Sequence, residues 1–278
     1  MADMDLPLPE DVRAACLRLK STRDGDRGVL DAVACGRRAV PALTALLFSR
    51  DPSGLSHARL RAAEALTGLD AREVLIDFLG ASHEMSDPVE QLGEDEVVSA
   101  VARALTDPGE ERVFDLLLRL ARDRILPGVV AALGKSLRPE AIPELLRALG
   151  EDETRGEAER ALQHFGEAAV PALLVAAARA PDGNAHETES DLRKRRSALG
   201  ILAEIGVPAN LWPIIRQLPN HPDRAIAATA SAIALKSAPI QERDAAVSRL
   251  TSLALAADAI LEARINHWLG EYRASSAT

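Results

Sequence analysis

The chain has 278 residues, of which 47% are hydrophobic, 3% aromatic and 27% charged, with a formal net charge of -9. A core of Ala, Leu, Val and Ile with so few rings favours thin, closely packed helical layers over one thick core. The negative balance is the wrong sign for a protein that gains affinity by neutralising phosphates, so nucleic acid is disfavoured as a partner. The longest apolar run falls far short of a membrane span. Met1 to Glu10 is acidic and lacks the basic segment and apolar stretch of a secretory signal, which predicts a cytoplasmic protein. Cys16 and Cys35 both fall in helical patterns and are expected as reduced thiols packed like small apolar residues, with a structural disulfide as the alternative.

Pro9 to Lys20 predicts a short helix carrying Val12, Cys16, Leu17 and Leu19, ended by the turn at 21–25, and reads as an N-terminal cap. A helix through Val29, Leu30, Val33 and Ala34 stops at Gly36, and Ala39-Val40-Pro41-Ala42-Leu43 opens its partner. The same phrase returns as Ala169-Val170-Pro171-Ala172-Leu173, and Ile142-Pro143 opens another helix alike. With the Val of this phrase as a register mark, marks fall at 40, 74, 113, 142, 170 and 210. Residues three, four and seven after each mark are mostly apolar, as in Leu116, Leu117 and Leu120, or Leu145, Leu146 and Leu149, which predicts one buried helix face repeated.

Residues 138–178, with two Pro-opened helices flanking an amphipathic one that ends at Phe165-Gly166, resemble HEAT repeats. The likeness is to the short type named after phycobilisome lyases, whose hallmark is the Ala-Val-Pro-Ala-Leu opening. It implies an all-α fold, a right-handed α-solenoid of about seven HEAT-like helical hairpins with a capping helix at each end. Residues 1–8 are expected to be disordered, 9–273 to form a single array, and 274–278 to fray. Insertions at 49–56, 80–93 and 180–190 all follow a second helix and are expected on one rim. Beyond Gly206, Pro208 to Leu218 is predicted as a second helix with Trp212 and an early-turn Pro213. Pro222–Leu235, Pro239–Ala256 and Asp258–Tyr272 complete the array, the last carrying Ile260, Leu261, Ile265, Trp268 and Leu269 as a C-terminal cap.

No reaction is legible. A different HEAT-repeat family, the deoxyhypusine hydroxylases, holds two irons through paired His-Glu dipeptides. Here His83-Glu84 and His186-Glu187 lie in insertions and His57 is followed by Ala58, so no metal is expected and both dipeptides read as solvated loops. No Gly-rich phosphate loop and no Gly-x-Ser-x-Gly occurs, so no cofactor is expected. Glu94-Asp95-Glu96, Glu110-Glu111 and Glu151-Asp152-Glu153 read as acidic helix starts.

Positions two and six after each mark are expected to face a concave groove. They bring Trp212 and Arg216 one turn apart as a candidate partner contact, with Arg119, Arg122 and Arg179 extending a basic stripe suited to another protein or an acidic peptide. Arg193-Lys194-Arg195-Arg196 is the one dense basic run; Arg at this point recurs at Arg59, Arg61, Arg155 and Arg224 and reads as pairing with neighbouring acids. The expectation is a non-catalytic interaction scaffold, not an enzyme. The alternatives are a lyase-type enzyme or subunit related to phycobilin lyases, favoured by a pocket with convergent His, Glu or Arg, and a nucleic-acid-binding HEAT-like protein.

Overall fold

The computed structural model describes residues 8–50, 55–105, 110–179 and 187–276, and every regular element among them is helical. Part of the 49–56 insertion, most of the 180–190 insertion including His186, and the expected disordered start at 1–7 lie outside the described residues. The chain divides into two compact units, residues 1–136 and 137–278.

The first unit holds α1 (Glu10–Leu19), α2 (Gly25–Ala34), α3 (Val40–Phe48), α4 (His57–Gly68), α5 (Arg72–Gly80), α6 (Pro88–Ala104), α7 (Glu111–Asp123) and α8 (Pro127–Ser136). First helices of successive pairs pack on one another (α2 on α4, α4 on α6, α6 on α8), as do second helices (α3 on α5, α5 on α7), giving two layers. The second unit holds α9 (Ile142–Ala148), α10 (Asp152–Phe165), α11 (Val170–Ala178), α12 (Glu189–Ile205), α13 (Arg224–Ser237), α14 (Ile240–Ala254) and α15 (Ala259–Ser276). Its centre is α13, buried at every position from Ile226 to Leu235, with Thr229 and Ser231 returning their hydroxyls to carbonyls of their own helix.

The repeated phrase has a backbone cause. Gly36, Gly166 and Gly206 have φ of 65°, 55° and 98°, and Asp70 has 52°; each stands four residues before a register mark. A left-handed residue ends the first helix, and after Gly36 and Gly166 a short 3-10 turn follows. Pro at the first turn of α3, α9 and α11 then gives up an N–H that has no helical partner in any case. The same break at Gly166 splits the apolar stretch 152–178 into α10 and α11.

Four departures from the sequence reading are seen. Pro208 to Leu218 is not an α-helix but a pair of 3-10 segments, Ala209–Ile214 and Leu218–Asn220, because Pro208, Pro213 and Pro219 remove donors that an α-helix needs. In α5 the buried residues are Leu75, Ile76, Phe78 and Leu79, one place later than the mark at Val74 implies. Finally, α6 starts at Pro88 behind an Asp87 cap, inside the segment read as an insertion, and α15 continues to Ser276.

Within the layer of first helices α8 lies tight against α6: a Cβ on Gly128 would sit 1.9 Å from the Ser99 carbonyl oxygen. Gly128→Ala is therefore expected to destabilise by about 1–3 kcal/mol through forced separation of the helices. Gly156, exposed in α10 with nothing within 4 Å of an added Cβ, should gain roughly 0.5–1 kcal/mol as Gly156→Ala. Urea denaturation of the two variants should move in opposite directions.

Candidate functional site

Short helices leave carbonyls unpaired at their ends, and one such end begins the site. The Nε of Arg59, from α4, donates to the Leu47 carbonyl at the end of α3 at 2.8 Å. This buries Arg59, which is 7% exposed, and a buried cation needs an anion. Glu94 of α6 supplies it: Oε2 accepts from Arg59 at 2.6 Å, and Oε1 accepts from His83 Nδ1 at 2.6 Å. Burial alone would push the Glu94 carboxyl up, but the hydrogen bonds from His83 and Arg59 outweigh it and hold the group at about 2. An ionised carboxylate only accepts, so His83 donates Nδ1–H to it, and in the neutral tautomer that makes this bond Nε2 carries the lone pair. His83 is 5% exposed, and its Nε2 has no hydrogen-bond partner among the described residues.

The loop that carries His83 is fixed from three directions. Arg50 donates to the Ser82 carbonyl at 3.0 Å, Gln91 Nε2 to the His83 carbonyl at 3.0 Å, and Arg124 to the same carbonyl at 2.9 Å. Gln91 Oε1 accepts from the Met85 N–H at 2.9 Å. Arg124 and Gln91 also meet Asp95, at 3.1 and 2.8 Å, although burial, the largest influence, leaves its carboxyl raised. The imidazole packs 4.8 Å from the Phe78 ring, itself edge-on to Phe48 and beneath the Arg59 guanidinium. Beside it lies a cavity of about 530 Å³ lined by His83, Glu84, Leu79, Val98, Arg119 and Arg124, among others. Arg119 is exposed and makes no ion pair or hydrogen bond among the described residues.

Of the residues expected to bind a partner, Trp212 is placed differently. Trp212 is 2% exposed, not partly exposed: it packs in the 3-10 segment and donates Nε1–H to Glu242 at 2.8 Å. Arg216 pairs with the other oxygen of that carboxylate at 2.8 Å, so the two expected contacts share an internal acid. Arg119 and Arg122 lie in the first unit and Arg179 in the second; all three side chains are exposed. The basic run is largely occupied, with Arg193 on Asp152, Arg195 buried against Glu187 and the Arg179 carbonyl, and Arg196 on Glu189 and Asp223.

Two corrections concern the site itself. His83 is a buried residue, not part of a solvated loop, because three side chains pin its backbone. Glu94, Asp95 and Glu96 do not start a helix; they lie within α6, where they pair with Arg59 and His83, with Arg124, and with Ser56. A signal was present: Asp87-Pro88 is a helix-start pair, and Val97, Val98 and Val101 at three, four and seven after Glu94 put it on the buried face.

No family model matches the chain, and no curated protein matches it. Among solved structures, the complex of CpcE and CpcF of phycocyanin lyase from Nostoc sp. is similar at 21% identity and a TM-score of 0.36, covering 91% of this chain and 98% of that one. That structure is a lyase complex, and Trp212 and Arg216 are paired internally. The scaffold reading is corrected at the contact it was built on: Trp212 is buried, and Trp212 and Arg216 are both paired to Glu242 within the chain.

Removing Glu94 strands a buried guanidinium, so Glu94→Ala is expected to cost about 3–5 kcal/mol in chemical denaturation. The folded-state carboxyl lies below its ordinary value of 4.5, so its contribution is fully present above that pH and is lost as pH falls towards about 2. The Tm gap between wild type and Glu94→Gln should accordingly be widest near neutrality and close between pH 4.5 and about 2.

Proposed function

We propose that the chain is a lyase-type enzyme, or a subunit of one, in which His83 acts as a base on a small carboxylate-bearing substrate held in the adjoining cavity. The observation that carries this reading is the buried imidazole with Nδ1 tied to Glu94 and Nε2 unpartnered among the described residues. A buried acceptor left unpaired costs about 1–3 kcal/mol. A working base is a physical reason for a fold to tolerate that cost.

Elimination needs a base near the carbon that loses its proton and a cation near the charge that grows. Nε2 is shut off from solvent in this structure, so a shift of the imidazole first opens it to the cavity; it then takes the proton from the carbon beside the carboxylate, and the released electron pair forms the new double bond. The leaving group departs with its own bonding pair, and the proton on Nε2 passes to it or to solvent, so neither oxidant nor reductant is consumed. Glu94 stabilises the imidazolium as it forms and holds the ring in one orientation. Arg119, with no internal partner among the described residues, is the group for the substrate carboxylate. Arg124, tied to Asp95 and the His83 carbonyl, positions the loop.

Proton abstraction is measurable without knowledge of the natural leaving group. Incubated in D₂O with a series of small carboxylates bearing a β-leaving group, the wild-type protein should exchange the α-proton, read by NMR. His83→Gln, checked for folding by circular dichroism, should slow that exchange on the order of 10²-fold. Wild-type exchange no faster than buffer across the series, or equal exchange by the folded variant, would sink the reading.

A further inference from the structure

A second cavity, of about 790 Å³, lies wholly within the second unit, between α12, α13, α14 and α15. Small side chains open it: Ala203 and Ala232 line it where larger residues would close the gap. Its aromatic content is unusual for this chain, which has two Trp and one Tyr; Trp268 and Tyr272 line it, four residues apart on one face of α15. Both rings are half-buried, and the Arg264 guanidinium stacks on Trp268 at 5.0 Å.

The cavity also contains a fixed positive charge. Arg243 donates Nε–H to the Ala238 carbonyl at 2.7 Å and reaches the Lys236 carbonyl at 3.5 Å, so the end of α13 holds the guanidinium in place. No carboxylate pairs with it among the described residues. The neighbouring Lys236, by contrast, faces Glu271 at 3.5 Å, and that acid also meets His267 at 3.3 Å. A guanidinium held by neutral carbonyls keeps its full charge, and its planar fork matches a carboxylate. Rings set beside such a cation select a flat apolar body with an acidic group at one edge.

From this juxtaposition we infer that the second unit binds a small aromatic carboxylate, its ring against Trp268 and Tyr272 and its carboxylate on Arg243. This site is independent of the His83 cavity, which lies in the other unit.

Isothermal titration calorimetry with 2-naphthoate, and with 2-naphthylmethanol as the same ring without the charge, tests the inference on the full chain. Naphthoate should bind saturably at one site per chain, and the alcohol about tenfold or more weaker. Arg243→Gln should abolish the preference for the acid, and Ala203→Leu, which fills the cavity, should abolish both isotherms. The comparison of the two probes on wild-type protein needs no variant, so it decides even if Arg243→Gln fails to fold. Absence of saturable naphthoate binding, equal binding of the alcohol, or a folded Arg243→Gln that still prefers the acid would each overturn it.

Discussion

The recurring constraint in this molecule is the set of carbonyl groups left over when many short helices end. An α-helix leaves its last carbonyls without internal donors, and elements of seven to eighteen residues expose many such ends. The chain answers with arginines that arrive from elements distant in sequence. Arg61 donates to the Leu19 and Ser21 carbonyls after α1, passing over Gly25, where a side chain would collide with it. Arg59 closes α3, Arg195 closes α11, Arg249 meets the Pro219 carbonyl, and Arg224 meets that of Ala256 beyond α14. These bonds hold each hairpin to a neighbour while the Ala-rich faces pack.

Once an arginine is drawn inward, the electrostatics of its surroundings follow. A buried cation without an anion is far more costly than an exposed one, so acids collect around it. Arg59 and Arg195 occupy the same register position in their repeats, and each carries a carboxylate and an imidazole: Glu94 with His83, and Glu187 with His221. The difference is chemical. His221 is engaged at both nitrogens, with the Asp223 N–H at Nδ1 and Arg195 at Nε2. His83 is engaged at one, which separates a structural imidazole from one able to take a proton. The same device at Arg243 has no carboxylate among the described residues, and there the charge meets a cavity with two rings.

Much of the helical order was legible because the repeat is written in residues with strong local physics. Gly36, Gly166 and Gly206 supply the left-handed break, Pro41, Pro143 and Pro171 the first turn that follows, and leucines at helical spacing the buried face. Reading failed where those signals were diluted. Pro208 to Leu218 read as a helix with Pro213 in an early turn but gave 3-10 turns, and the Trp thereby moved from an expected surface to a buried seat on Glu242. A slip of one residue in α5 sufficed to bury Ile76, which the register had placed in a groove.

Sequence alone therefore determined the all-helical class, the hairpin period and the acids at the starts of α7 and α10, since each follows from dihedral preference, periodicity or helix-end charge within a few residues. Only the tertiary structure decided that His83, Glu94 and Arg59 meet, or that Arg243 stands beside Trp268 and Tyr272. Arg59 and Glu94 are thirty-five residues apart, and no local rule distinguishes an arginine that reaches a distant helix end from one that remains in water. Burial makes that distinction, because charge and hydrogen bonding become selective only where solvent no longer competes.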